Sequence, residues 1–452
     1  MRAQILASQD LYLHIASGRW IIEHRQIPDR GIFSGSMSDA PWVAHEWLAS
    51  VGFAWLYDHL GWGGVLIAVS LALAIAIATV TLGVSRKLGP LAALFASLLA
   101  WGLCINHLVA RPHVIALPFV AIWISEHVRA RSSGGTPSWY LMPLMVLWAN
   151  IHGSYMFGLG FTALFAAEAV FESDSLAEAR SAARRWGIFF CAALVAAIVT
   201  PHGLSGLLFP IQLVNAQAAL ESVLEWQPST IANSMPLFVW CALLGFLALW
   251  QGIRLPICRL IMLMVVLYMA FAHRRHIELL GLAAPLLLQE PVAEALSRAA
   301  PVFMTGWEVL ARPTIRIPLL SAASVAVAAS LLLGSVRVAR GPDPFTPVAA
   351  LAAVEAQGIR GPVLNAQNFG GYLVFRGIPP FVDGRVDMYG GRFMQRYQSL
   401  DEQVPILEQY RIAWTIFEPS SSQALVMDLS PGWKRAFADD ISVVHVRTGA
   451  GR

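Results

Sequence analysis

The chain has 452 residues, of which 57% are hydrophobic and only 13% charged, with a net charge of +3. That balance excludes an ordinary soluble enzyme and points to a polytopic membrane protein. Lys87 and Lys434 are the only lysines, so the positive charge is almost wholly arginine and is dispersed along the chain. No nucleic-acid partner is expected from such a distribution. Cys104, Cys191, Cys241 and Cys258 show no CxxC spacing and read as small buried hydrophobes.

The first segment, residues 1–61, contains two amphipathic stretches. In "DLYLHIASGRWIIEH" Leu11, Ile15 and Ile22, with Gly18, recur at helical spacing, and "IPDRG" ends the helix. "VAHEWLASVGFAWLYDHL" stacks Trp47, Val51 and Trp55 four apart, and its tryptophans suit a headgroup layer. Asp10 stands where the first helix begins. It is either an N-cap or a carboxylate free to take a proton from a nucleophile at the membrane surface. His45 and Glu46 precede Trp47. They form the polar face of an interfacial helix or supply a second carboxylate that orients Asp10, a metal or a sugar hydroxyl.

Residues 62–340 read as about ten spans, near 62–85, 88–110, 112–130, 138–151, 153–172, 186–201, 233–253, 256–273, 276–292 and 316–339. Arginine and lysine alternate between the connecting loops. Arg86 and Lys87, Arg129 and Arg131, the arginines at 180–185, Arg254 and Arg259 fall on one side, expected to be cytoplasmic. The other side receives residues 1–61, "NIHGS", the 202–232 loop, "HRRH" and residues 341–452. An outer start without a signal-peptide core leads us to expect a further span upstream of Met1.

Polar residues interrupt the outer ends. Arg111 and His113 flank Pro112, where an arginine either snorkels to headgroups or meets a substrate. "NIHGS" reads as a tight turn that points His152 outward. The 202–232 loop has no Lys or Arg, which fits an outer location, and carries His202, Glu225 and Trp226; Trp226 is either an interfacial anchor or a platform for a sugar ring. "HRRH" places Arg274 and Arg275 between His273 and His276, against the charge rule. Either the span count slips by one, or the arginines are held outside to bind an anion, for which their planar fork suits phosphate.

From 341 the apolar runs shorten into an α/β unit: helix 346–357, strand 362–365, helix or strand 370–376, strand 380–383, helix 400–410, strand 413–417, helix 421–428 and strand 441–447. In "FVDGRVDMYGG", Arg385 is expected to bridge Asp383 and Asp387. The turn is either an internal ion pair or a polar edge that offers the three residues to a hydrophilic acceptor.

Asp10 with "LHIASGRWIIEHRQIPDRGIFS" and "HEWLASVGFAWLY", followed by "ARPHVIALPF", "LWANIHGSYMFGLG", "TPHGL", "EWQP" and "NFGGYLVFRGIPPFVDGRVDMY", resembles bacterial membrane proteins of the GT-C glycosyltransferase superfamily. That group contains protein O-mannosyltransferases and aminoarabinose transferases. The resemblance covers most of the chain. It implies a mainly α GT-C-like helical bundle with interfacial helices in its first outer loop, plus a small C-terminal α/β domain. It further implies an acidic residue after the first span, here Asp10, that activates the acceptor. The first span is missing from this sequence, and Leu11 stands where many relatives have a second acid.

The expected activity is transfer of a sugar from a polyprenyl-phosphate-linked donor to a glycan, lipid or protein acceptor at the outer face of a bacterial cytoplasmic membrane, with membrane lipid as surroundings. His45, Arg111, His113, His152, His202, Glu225, Trp226, Arg274, Arg275, His276, Asp383, Arg385 and Asp387 are the candidate substrate contacts. No soluble cofactor is required, and Asp10 with Glu46 leaves room for a divalent cation. The rival readings are a flippase for lipid-linked sugars and a non-catalytic assembly subunit.

Overall fold

The computed structural model describes residues 2–105, 108–215, 224–299, 340–341 and 343–448. After a short turn of helix, α1 (Arg2–Leu6), comes α2 (Gln9–His24), which ends where Arg25 turns left-handed at φ 52°. Leu11, Ile15 and Gly18 of α2 are buried as their spacing predicts, whereas Ile22 is exposed. Gly18 allows a close approach, because a Cβ there would lie 2.0 Å from the Ser50 carbonyl oxygen.

The long α3 (Trp47–Val84) changes direction at Gly61, whose φ of 61° suits glycine. The kink separates the amphipathic half from an apolar half that starts at the expected first span. Seven helices follow: α4 (Pro90–Cys104), α5 (Pro112–Ser132), α6 (Leu141–Ile151), α7 (Tyr155–Phe171), α8 (Leu176–Ile198), α9 (Gly203–Asn215) and α10 (Ile231–Gln251). Two more complete the described bundle, α11 (Ile257–Ala272) and α12 (Ile277–Ala299). A helix stands at every expected span up to 292; the expected span 316–339 lies outside the described residues. Among the described residues α3, α8 and α10 are long and apolar enough to cross a membrane, and α4, α6, α7 and α11 are shorter apolar helices. Their length and composition are those of a multi-pass membrane protein.

The 202–232 segment contains α9 and a 3-10 turn at Leu224–Trp226, since "GLSGLLFPIQLVN" supplies enough apolar residues for an amphipathic helix. One expectation for the bundle needs correction. Of the cysteines, Cys104 and Cys258 are buried, but Cys191 is exposed on α8.

Basic loop residues gather at one end of the bundle. Glu168, 1% exposed, receives Arg131 and Arg259, both at 3.2 Å. Arg259 and Lys87 also reach Glu290, at 2.7 and 3.0 Å. The 21-residue α5 carries Arg131 near its C-terminal end and starts beside Arg111, which places this network about 30 Å from Arg111.

The C-terminal unit is a four-stranded sheet in the order β1-β2-β4-β3. Strand β1 (Val363–Asn365) runs parallel to β2 (Trp414–Phe417), and β4 (Val443–Arg447) is antiparallel to both β2 and β3 (Trp433–Ala438). Its helices are α13 (Val348–Ala356), α14 (Gln367–Phe375), α15 (Val386–Tyr389), α16 (Gly391–Gln398), α17 (Gln403–Gln409) and α18 (Ser422–Leu429). The expected strand 380–383 is absent: the segment follows Pro379 and Pro380, which donate no hydrogen bond, and Phe381 N–H donates to the Asn365 side chain at 2.7 Å instead of to a ladder. Strand β3 and helices α15 and α16 were not expected. Edge strand β3 alternates little between buried and exposed positions, which left no period-2 signal.

Helix α2 joins the two units. Leu11 and Ile15 enter the bundle core, while Tyr12 enters the core of the C-terminal unit against Tyr372 and Phe375, both 4.9 Å away between ring centroids. Gly371 of α14 sits directly on the Gln9 carbonyl, where a Cβ would lie 2.2 Å from the oxygen. The C-terminal unit therefore lies on the helix that carries Asp10.

Candidate active site

A cavity of about 740 Å³ lies where the bundle, α2 and the C-terminal unit meet. Asp10 and His14 enter it from one face of α2, four residues apart. Asp10 does not cap the helix: Ser8 holds the N-cap position, and the Asp10 side chain turns to Arg111 instead. Arg111 is extended, because Pro112 follows it and starts α5. Its Nη2 lies 2.8 Å from Asp10 Oδ2, its Nε donates to Ser8 Oγ at 3.0 Å, and its Nη1 pairs with Glu225. Two carboxylates thus neutralise Arg111 and fix the angle of Asp10.

The other oxygen, Asp10 Oδ1, is buried without a partner among the described residues. It faces Gly384 of the C-terminal unit so closely that a Cβ there would lie 1.9 Å away. Burial raises the Asp10 carboxyl above the ordinary range, and Arg111 opposes the shift only in part. A carboxylate that holds its proton more tightly is the stronger base once ionised.

Glu46 is ringed by three imidazoles. Its Oε1 lies 3.5 Å from His152 Nε2 and 3.7 Å from His45 Nε2, and its Oε2 lies 3.7 Å from His14 Nε2. The Ser154 N–H donates to His152 Nδ1, so His152 carries its proton on Nε2, toward Glu46. Burial raises Glu46, lowers His45 and His152, and lowers His14 to about 4. Among the described residues no three His, Cys, Asp or Glu side chains are arranged to hold a metal ion.

Across the cavity, Arg275 stacks on Trp226 with its guanidinium carbon 4.7 Å from the ring centroid. It makes no hydrogen bond or ion pair among the described residues. His276 lies beside it, and His113 faces Glu278 at 3.8 Å. Arg274 does not line the cavity, because successive residues of the 3-10 turn Arg274–His276 project in different directions. His202 also lies outside the cavity lining.

The "DGRVD" turn divides its charges. Asp383 is fully buried and accepts from Arg385 Nε at 2.9 Å and from Tyr389 OH at 3.1 Å, so it reaches no substrate. The guanidinium of Arg385 lies 4.7 Å from the Trp42 ring and pairs with Asp383, with no ion pair to Asp387 among the described residues, so the expected double bridge is a single pair. Asp387 and Gly384 face the cavity. Burial raises the Asp387 carboxyl, and nearby His45 opposes the shift. Sequence reasoning missed His14 and Glu278. Helical spacing from Asp10 would have found the first.

No family profile matches the sequence, and no curated protein matches it. Among solved structures, ArnT from Cupriavidus metallidurans bound to undecaprenyl phosphate aligns over 99% of this chain and 95% of its own, with a TM-score of 0.51 at 14% identity. The apo state of that protein gives a TM-score of 0.54 at 14% identity over 98% and 94% of the two chains. The Archaeoglobus fulgidus oligosaccharyltransferase gives 0.54 at 10% identity, over 94% of this chain and 67% of its own. Both proteins are GT-C glycosyltransferases. This chain has a GT-C-like fold. At these identities the likeness concerns the fold.

Proposed function

We propose that the protein is a membrane glycosyltransferase that moves a sugar from a polyprenyl-phosphate-type donor to an acceptor at the outer face of the cytoplasmic membrane. One observation carries the reading: Asp10, held by Arg111, presents its carboxylate beside a cavity whose far wall bears Arg275 without an ion-pair partner among the described residues. An acceptor O–H attacks the anomeric carbon, its proton passes to Asp10, and the bond from that carbon to the phosphate oxygen breaks with inversion. The departing lipid phosphate gains charge in this step, and Arg275 stabilises it, since Arg111 is already neutralised. Trp226 keeps the Arg275 guanidinium in place. Undecaprenyl phosphate bound to ArnT, a protein of like fold, supports a lipid-phosphate donor. No residue in this scheme calls for a soluble cofactor. The alternation of basic loops supports an outer C-terminal unit.

Purified protein supplied with undecaprenyl-phosphate sugars should release undecaprenyl phosphate in the presence of an acceptor extract. A flippase would move the lipid across vesicles and leave the sugar bond intact, and an assembly subunit would do neither. Either result would refute the transferase reading. Impermeant labelling of single cysteines placed in the C-terminal unit of intact spheroplasts tests the orientation, and protection from the reagent would overturn it.

A further inference from the structure

Glu278 stands in the first turn of α12 and is only 3% exposed, yet its Oε1 is buried with no hydrogen-bond partner among the described residues. Its other oxygen, Oε2, faces His113 Nε2 at 3.8 Å, too far for a hydrogen bond. A first-turn position favours a carboxylate, but this does not compensate a buried oxygen left without a donor. Such a group persists where a ligand supplies the missing donor. Glu278 lines the cavity beside Leu117 and Leu279, so the donor must arrive through the cavity.

The neighbours indicate which ligand. Arg275 precedes Glu278 by three residues, and the 3-10 turn leads straight into α12, so both side chains project from one side, about 5–6 Å apart at Cβ. Within one sugar phosphate, an anion on Arg275 leaves the ring hydroxyls within reach of Glu278. We infer that Glu278 is a specificity-determining residue: its Oε1 accepts a hydrogen bond from a ring hydroxyl of the donor's sugar while Arg275 holds the phosphate. Glu278 reads the sugar and Arg275 reads the carrier. The inference rests on the lipid-phosphate donor proposed above.

The test compares binding of bare undecaprenyl phosphate with binding of undecaprenyl phosphates that carry glucose, mannose or galactose, for the parent and for Glu278→Leu and Glu278→Gln. The parent should hold at least one sugar-bearing lipid about tenfold more tightly than the bare lipid. Glu278→Leu should erase that preference and bind bare lipid within about twofold of the parent. Bare-lipid binding also reports whether each variant is folded; if the Glu278→Leu protein does not fold, the isosteric Glu278→Gln decides, with a reduced preference expected. A parent that does not distinguish the lipids, an unchanged preference in the folded variants, or an equal loss of both lipids overturns the role of Glu278. A parent that binds neither kind of lipid overturns the donor reading itself.

Discussion

Substituting Gly384 by alanine is expected to disable transfer from a distance of 374 residues in sequence, through a single methyl group. An ideal Cβ at 384 would lie 1.9 Å from Asp10 Oδ1 and 3.0 Å from its carboxyl carbon. Ordinary van der Waals contact needs about 3.5 Å, so the carboxylate or the turn has to retreat by roughly 1.5 Å. Asp10 cannot retreat freely, because Arg111 holds its other oxygen at 2.8 Å. Gly384 is not among the glycines with positive φ, so alanine adds no backbone strain and the methyl acts alone. Overpacking of this kind costs about 1–3 kcal/mol, less than the stability of an ordinary protein, so the variant should fold. A misplacement of about 1 Å at a reacting group lowers the rate on the order of a hundredfold. The assay is sugar transfer by purified Gly384→Ala, with thermal unfolding in the same detergent and Gly160→Ala, whose Cβ would meet nothing within 4 Å, as the control. A Gly384→Ala protein that works at the parent rate would refute the close contact between the C-terminal unit and the base.

Arg275→Lys keeps its charge but loses the planar fork, so donor affinity should fall about tenfold to a hundredfold, as loss of one charge-assisted hydrogen bond of about 1.5–3 kcal/mol implies. Arg274→Lys, off the cavity, should bind donor like the parent; the reverse pattern in a binding titration would exchange their roles. Glu168→Ala removes the buried carboxylate that Arg259 and Arg131 share while Glu290 and Glu172 stay in place, and should cost about 1.5–3 kcal/mol in an unfolding measurement. Hydrogen bonds from Arg435, then from buried His445, hold Asp428 down to about 2. Because the folded value lies below the unfolded one, its stabilisation is present above about pH 4 and is lost as the pH falls toward 2. Asp428→Asn should remove that part of the acid dependence, read from the near-UV signal of the C-terminal unit against pH.

The bundle was legible because spanning helices need long apolar windows and the chain interrupts them with polar turns. The start of α8 at Leu176, ten residues before the expected span, was hidden: Ser175 caps the helix by accepting from Glu178 N–H, and the turns that follow are rich in arginine. Asp10, Arg111 and Arg275 could be singled out as polar residues at helix ends. Their pairing could not, since Arg111 meets Asp10 and Glu225 across sequence gaps that no local period reports. The same holds for Glu46, whose neighbour His152 comes from a distant turn. In the C-terminal unit, three charges crowded within five residues gave no sign of which would be buried. Tertiary packing decided: Arg385 and Tyr389 close on Asp383, and Asp387 is left facing the cavity.

The most direct measurement pairs donor binding with transfer in Asp10→Asn. Asparagine keeps the shape of the side chain and removes the proton acceptor. Purified Asp10→Asn should hold undecaprenyl-phosphate sugar within a few-fold of the parent, unfold at a similar temperature, and release no lipid phosphate above background. Release at the parent rate would contradict the account and leave Asp10 as a structural partner of Arg111.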